Sequence, residues 1–117
     1  MLFRSYEDLL EAGFSTITID IDQQADPKLK VDQLKKLVEM ASKRNVVTIG
    51  NVDATIFERA TKEEMEAEVR RCIDAAARHS RYVLSTSCEI PPRSKPEIVQ
   101  WFMDAAHDYG RYERLMP

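Results

Sequence analysis

Three short apolar, β-prone runs, each giving way to polar residues and each followed by an amphipathic stretch, constrain this chain more than any other feature. The first, residues 14–21, carries Phe14, Thr16, Ile17, Thr18 and Ile19 before Asp20 and Asp22; the second is Val46, Val47, Thr48 and Ile49; the third begins at Tyr82, Val83 and Leu84. Behind the first run, Val31, Leu34, Leu37, Val38 and Ala41 recur at helical spacing. Behind the second come Met65, Val69, Cys72, Ile73 and Ala76. Behind the third come Ile98, Val99, Phe102, Ala105, Ala106 and Tyr109, with Trp101 at the border of that stripe. Strands that alternate with helices predict an α/β fold with a parallel sheet and right-handed crossovers, three consecutive βα units in all.

Local signals punctuate these elements. Asp26-Pro27 is a helix start, the carboxylate capping and the proline fitting the first turn. Thr61 and Glu64 have the spacing of a capping box, and Ser94 with Glu97 repeats it around Pro96. Residues 6–12 read as the last turns of a helix closed by Gly13, and Gly110 closes the final helix. Residues 1–5 carry no pattern that belongs to the next element and are read as a non-native or disordered start, and residues 6–117 as the C-terminal fragment of a larger domain.

In a parallel α/β sheet the loops that follow the strands gather on one edge, and that edge carries the chemistry. Asp20/Asp22, Asn51/Asp53 and Cys88/Glu89 all fall there. The segment from Tyr82 to Pro92 is the most pointed of the three, because an apolar run turns polar with one cysteine and one carboxylate and is then stopped by Pro91 and Pro92. Asn51 and Asp53 suit either substrate contact or bracing of their loop, since Asx side chains in turns routinely bond the local backbone. Glu89 suits an orienting carboxylate or a solvated one. Asp20 and Asp22 need no explanation beyond a charged strand end. Cys72 lies on a buried helical stripe and reads as a small core hydrophobe. His79 and His107, near helix ends, read as solvated and structural.

Composition bounds the function. At 117 residues the chain is one domain at most, with 17 basic against 20 acidic residues and the basic ones scattered, so no nucleic-acid footprint is present. No apolar run approaches the ~20 residues of a membrane span, and the start has no secretory pattern. The expected compartment is the cytoplasm, where Cys72 and Cys88 stay as thiols.

The segment Ile49-Gly50-Asn51-Val52-Asp53, the Thr61-Lys62-Glu63-Glu64 helix continuing to Val69-Arg70-Arg71-Cys72-Ile73, and Tyr82-Val83-Leu84-Ser85-Thr86-Ser87-Cys88-Glu89-Ile90-Pro91-Pro92 together resemble the C-terminal third of the uroporphyrinogen decarboxylase family. The resemblance spans roughly residues 8–110 and implies a partial (β/α)8 TIM barrel. That family includes haem-pathway decarboxylases and zinc-dependent methyltransferases that move methyl groups from corrinoid cofactors to thiols. The decarboxylases place a histidine in a glycine-flanked turn at the position of Cys88. The methyltransferases place a cysteine there, as the last of three zinc ligands whose other two form an upstream His-x-Cys.

The resemblance therefore implies that Cys88 is a metal ligand; Asn51, Asp53 and Glu89, at the same strand-end edge, are the catalytic candidates. The resemblance also implies zinc and a corrinoid methyl donor as cofactors, and a small-molecule substrate and a corrinoid protein as partners. A porphyrinogen decarboxylase is the alternative activity. A third, non-enzymatic reading is that three βα units alone form an inactive partial barrel, self-associating through an uncovered sheet face.

Overall fold

The computed structural model describes residues 3–19, 26–77 and 81–111. Helix α1 spans Phe3–Glu11, strand β1 Thr16–Thr18, helix α2 Pro27–Lys43, strand β2 Val47–Ile49, helix α3 Lys62–Ala76, strand β3 Tyr82–Val83 and helix α4 Pro96–Tyr109. The three strands form one parallel sheet in the order β1-β2-β3. This is the alternation the sequence predicts, three βα units in succession.

Helix boundaries follow their caps. The Asp26 carboxylate accepts from the Lys28 N–H at 2.9 Å, with proline in the first turn of α2. That helix ends in a Schellman motif: Asn45 adopts φ +59°, the Asn45 N–H reaches Ser42 O at 3.1 Å and the Val46 N–H reaches Ala41 O at 2.9 Å. Thr61 and Glu64 close both halves of the capping box at α3, at 3.1 and 3.2 Å.

The second expected box does not form. Ser94 donates its hydroxyl to Pro91 O at 2.6 Å, and Lys95 becomes the N-cap of α4 with no side-chain cap bond. Pro96 is the reason, because it drives the preceding residue into extended backbone, and Lys95 sits at φ −82°, ψ 131°. Helix α1 begins at Phe3, three residues before the Tyr6 start read from the sequence. Strand β1 is shorter than expected: Phe14 lies outside it and is 57% exposed. Among the described residues, β1 is an edge strand, hydrogen-bonded along its β2 side.

Register sorts the strand residues onto two faces. Ile17, Thr48 and Tyr82 are aligned in one row, and Thr18, Ile49 and Val83 in the next. Thr48 is fully buried, as is Ile19, which lies on the Ile17 side of β1. Thr18 and Val83, on the opposite face, are exposed. The helices thus cover one face, and their stripes supply the core: Leu34, Leu37, Val38 and Ala41 from α2, and Met65, Val69, Cys72, Ile73 and Ala76 from α3. Each fully buried aliphatic side chain among them contributes about 1.5–3 kcal/mol relative to exposure.

One element has no counterpart in the sequence reading. A 3-10 turn, Ala54–Glu58, buries Phe57, whose ring meets Phe102 of α4 edge-on with centroids 5.6 Å apart. Phe57 O also accepts from the Lys95 N–H at 3.1 Å, so the start of α4 is tied to this turn.

Candidate functional site

Among the described residues, the C-terminal edge of the sheet is built from two turns. The turn after β2 opens with Gly50 at φ +141°, where an added Cβ would lie 2.9 Å from the Ile19 carbonyl oxygen, so glycine is required by both backbone and space. The Gly50–Asn51 peptide is cis. Asn51 is fully buried. Its main-chain carbonyl accepts from Arg71 Nη2 at 3.2 Å, and its Oδ1 accepts a weak bond from the Cys72 thiol at 3.7 Å. The Tyr82 hydroxyl donates to the Gly50 carbonyl.

Beneath that turn lies a group of charges. Arg71 Nε pairs with Glu68 Oε1, three residues earlier on α3, and Glu68 Oε2 lies 3.8 Å from Lys30 Nζ of α2. The Lys30, Glu68 and Arg71 side chains are only 11–12% exposed. Arg71 Nη1 and Asn51 Nδ2 are buried donors without a hydrogen-bond partner among the described residues. Burial raises the Cys72 pKa, with the Arg71 guanidinium opposing it, and burial raises that of Tyr82 with the neighbouring Cys72 adding to the shift. Both groups are therefore neutral hydrogen-bond donors near neutral pH. Cys72 is the core residue expected of it.

Asp53 faces its own loop. Its Oδ1 accepts from the Thr55 N–H at 2.9 Å and the Thr55 hydroxyl at 2.7 Å, capping the 3-10 turn. Of the two roles its sequence suits, bracing is the one with visible bonds.

The turn after β3 hangs from the first. The Val52 N–H reaches Ser85 O at 2.9 Å, the Ser87 N–H returns to Val52 O at 2.7 Å, and the Ala54 N–H reaches the Ser87 hydroxyl at 3.4 Å. Thr86 donates its hydroxyl to Cys88 O at 2.6 Å. Cys88 is thus set one residue beyond a bonded anchor, with its thiol free and exposed, and Glu89 is exposed beside it. The two turns meet through backbone and Ser87, and no hydrogen bond joins Cys88 or Glu89 side chains to Asn51 or Asp53 among the described residues. His107 is exposed in the last turn of α4. Asp20, Asp22 and His79 lie outside the described residues.

The sequence analysis does not single out Lys30 or Glu68 and takes Arg71 only as part of a motif. A signal was present: Glu68 and Arg71 are an opposite-charge pair at i,i+3 flanking the buried stripe residues Val69 and Cys72.

The geometry offers one accessible thiol on a strand-end loop, held beside a locked turn. Among the described residues no group of three or more His, Cys, Asp or Glu side chains could hold a metal ion, and no helix is long and apolar enough to cross a membrane. No curated protein matches the chain. The family model described as Uroporphyrinogen decarboxylase (URO-D) matches residues 3–109, which takes in all three βα units and both turns. A match over nearly the whole chain, on a sheet whose parallel order and strand-end site accord with a (β/α)8-type arrangement, makes this protein a member of the uroporphyrinogen decarboxylase family.

Proposed function

We propose that this member of an enzyme family serves a corrinoid-dependent, zinc-activated methyl transfer to a thiol, with Cys88 as one zinc ligand. The observation that carries the reading is the Cys88 thiol itself, exposed on the loop after β3 and anchored through Ser87 to Val52. A ligand must be reachable by the ion and held in place, and this thiol meets both requirements. Zinc with an open position would bind a substrate thiol as thiolate and keep it nucleophilic at neutral pH. The described residues fit that group only in part, supplying a single sulfur donor, so the remaining ligands have to come from elsewhere in the folded protein. Glu89, exposed next to Cys88, would orient a ligand, and Asn51 would shape the neighbouring turn. The substrate is a small-molecule thiol and the methyl donor a corrinoid, free or protein-bound.

Metal analysis of the full-length protein tests this. Close to one zinc per chain is expected, with Cys88→Ala removing most of it while the circular dichroism spectrum is kept. A protein that binds no zinc, or that keeps its zinc on that substitution, replaces this reading with a metal-free decarboxylase of porphyrinogen type, the activity that the description of the family model names.

A further inference from the structure

The buried charges of α2 and α3 have no part in the chemistry proposed above, yet they end on the backbone that carries the Cys88 loop. Lys30 Nζ holds Glu68, Glu68 holds Arg71 Nε, and Arg71 Nη2 donates to the Asn51 carbonyl. From Asn51 the chain runs directly into Val52, whose carbonyl accepts the Ser87 N–H at 2.7 Å and whose N–H reaches Ser85 O at 2.9 Å. Cys88 is the next residue.

We infer that Arg71 is a positioning residue for the Cys88 thiol, acting through the Asn51 main chain and the Val52–Ser87 hydrogen bond. The geometry of the guanidinium is what the role requires. Its planar fork serves two acceptors at once, a carboxylate on its own helix and a main-chain carbonyl on the sheet edge, which a lysine ammonium on a flexible stem does not reproduce. A carbonyl bonded to a buried cation that is itself clamped cannot swing without leaving a buried guanidinium N–H without its acceptor. The turn after β2 is fixed from below, and the turn after β3 takes its position from it. The inference rests on the Cys88 reading above only in its metal arm; its backbone arm stands without zinc.

Two measurements on the full-length protein test it. Hydrogen exchange is followed at the Ser87 and Val52 amides, with the Leu37 amide of α2 as the reference for global opening. In Arg71→Met the exchange of Ser87 relative to Leu37 is expected to rise roughly tenfold or more, the loss of a charge-assisted hydrogen bond appearing as local opening. Glu68→Gln keeps the guanidinium and weakens its clamp along with the Lys30 contact, so the same pattern at smaller amplitude is expected even if Arg71→Met folds poorly. In the second measurement cobalt(II) replaces zinc, and Arg71→Met is expected to shift the thiolate-to-cobalt absorption of Cys88 and lower metal affinity by about 10–100-fold. Ser87 and Leu37 exchange changing in parallel in both variants would overturn the inference, as would an unchanged cobalt spectrum. A wild-type protein that binds neither metal defeats the methyl-transfer reading alone, and the exchange ratio then decides the positioning role by itself.

Discussion

The turns after β2 and β3 leave the same edge of the same parallel sheet, and both look alike in sequence: a short apolar run, then Asn and Asp in one, Cys and Glu in the other. In the folded chain they are opposites. Asn51 is wholly buried, with bonds to Arg71 and Cys72, while Cys88 and Glu89 are exposed. The first turn is fixed by partners from α3 and β3; the second borrows its order from the first through Val52 and Ser87. A locked turn next to an open one is an arrangement suited to binding chemistry, because the reactive group stays accessible while its position is set by something that does not move.

The largest effect expected from disturbing this contrast is at Gly50. An alanine there would place its Cβ 2.9 Å from the Ile19 carbonyl at a backbone angle that side chains avoid. Gly50→Ala is expected to cost about 3 kcal/mol in denaturant unfolding, through backbone strain at a position that cannot relax. A loss below about 1 kcal/mol would show that the turn is softer than its bonds suggest.

An intermediate effect should come from alkaline pH. Burial raises the pKa values of Cys72, Tyr82 and Tyr6, so each protonated group favours the folded state. Folded values above the unfolded ones, 9.0 for cysteine and 10.0 for tyrosine, mean that this stability is whole below those values and is lost as pH climbs past them. Melting temperature should therefore be insensitive to these groups up to about pH 9 and fall above it. Tyr82→Phe, which removes the donor to Gly50, should lower stability at pH 7 but flatten the alkaline decline. A decline of unchanged steepness in that variant would remove Tyr82 from the locked turn's titrating groups.

The smallest effect belongs to the open turn. Cys88→Ala changes an exposed side chain whose hydrogen bond to Thr86 runs through the main-chain oxygen, so urea unfolding without metal should move by no more than about 0.5 kcal/mol. A substantially larger loss would mean that Cys88 is a structural residue, and the contrast between the two turns would collapse.

Much of the scaffold was legible because it rests on local rules. Helix stripes repeat at helical spacing whatever they pack against, and Met65, Val69, Cys72, Ile73 and Ala76 are the buried set of α3 that periodicity predicts. The Thr61–Glu64 box is equally local, since both of its bonds close within four residues. The Ser94 box failed by a local rule as well, one in which Pro96 restricts the residue before it more strongly than Ser94 can cap. The Ala54–Glu58 turn escaped notice because nothing in five residues announces that Phe57 will meet Phe102, forty-five residues on.

By itself the sequence determined the alternation of strands and helices, the parallel order, the family and the edge on which the candidate residues gather. The family was carried by the resemblance of the segments 49–53, 61–73 and 82–92; the rest follow from side-chain periodicity, capping and chain connectivity, which act over a few residues at a time. Only the tertiary structure decided that Asn51 is interred and Cys88 open, that Asp53 braces its own loop, and that Lys30, Glu68 and Arg71 converge beneath Asn51. Burial is a property of what lies on the other side of a residue. For Asn51 that is Arg71 and Cys72, about twenty positions away, carried there by the packing of α3 on the sheet.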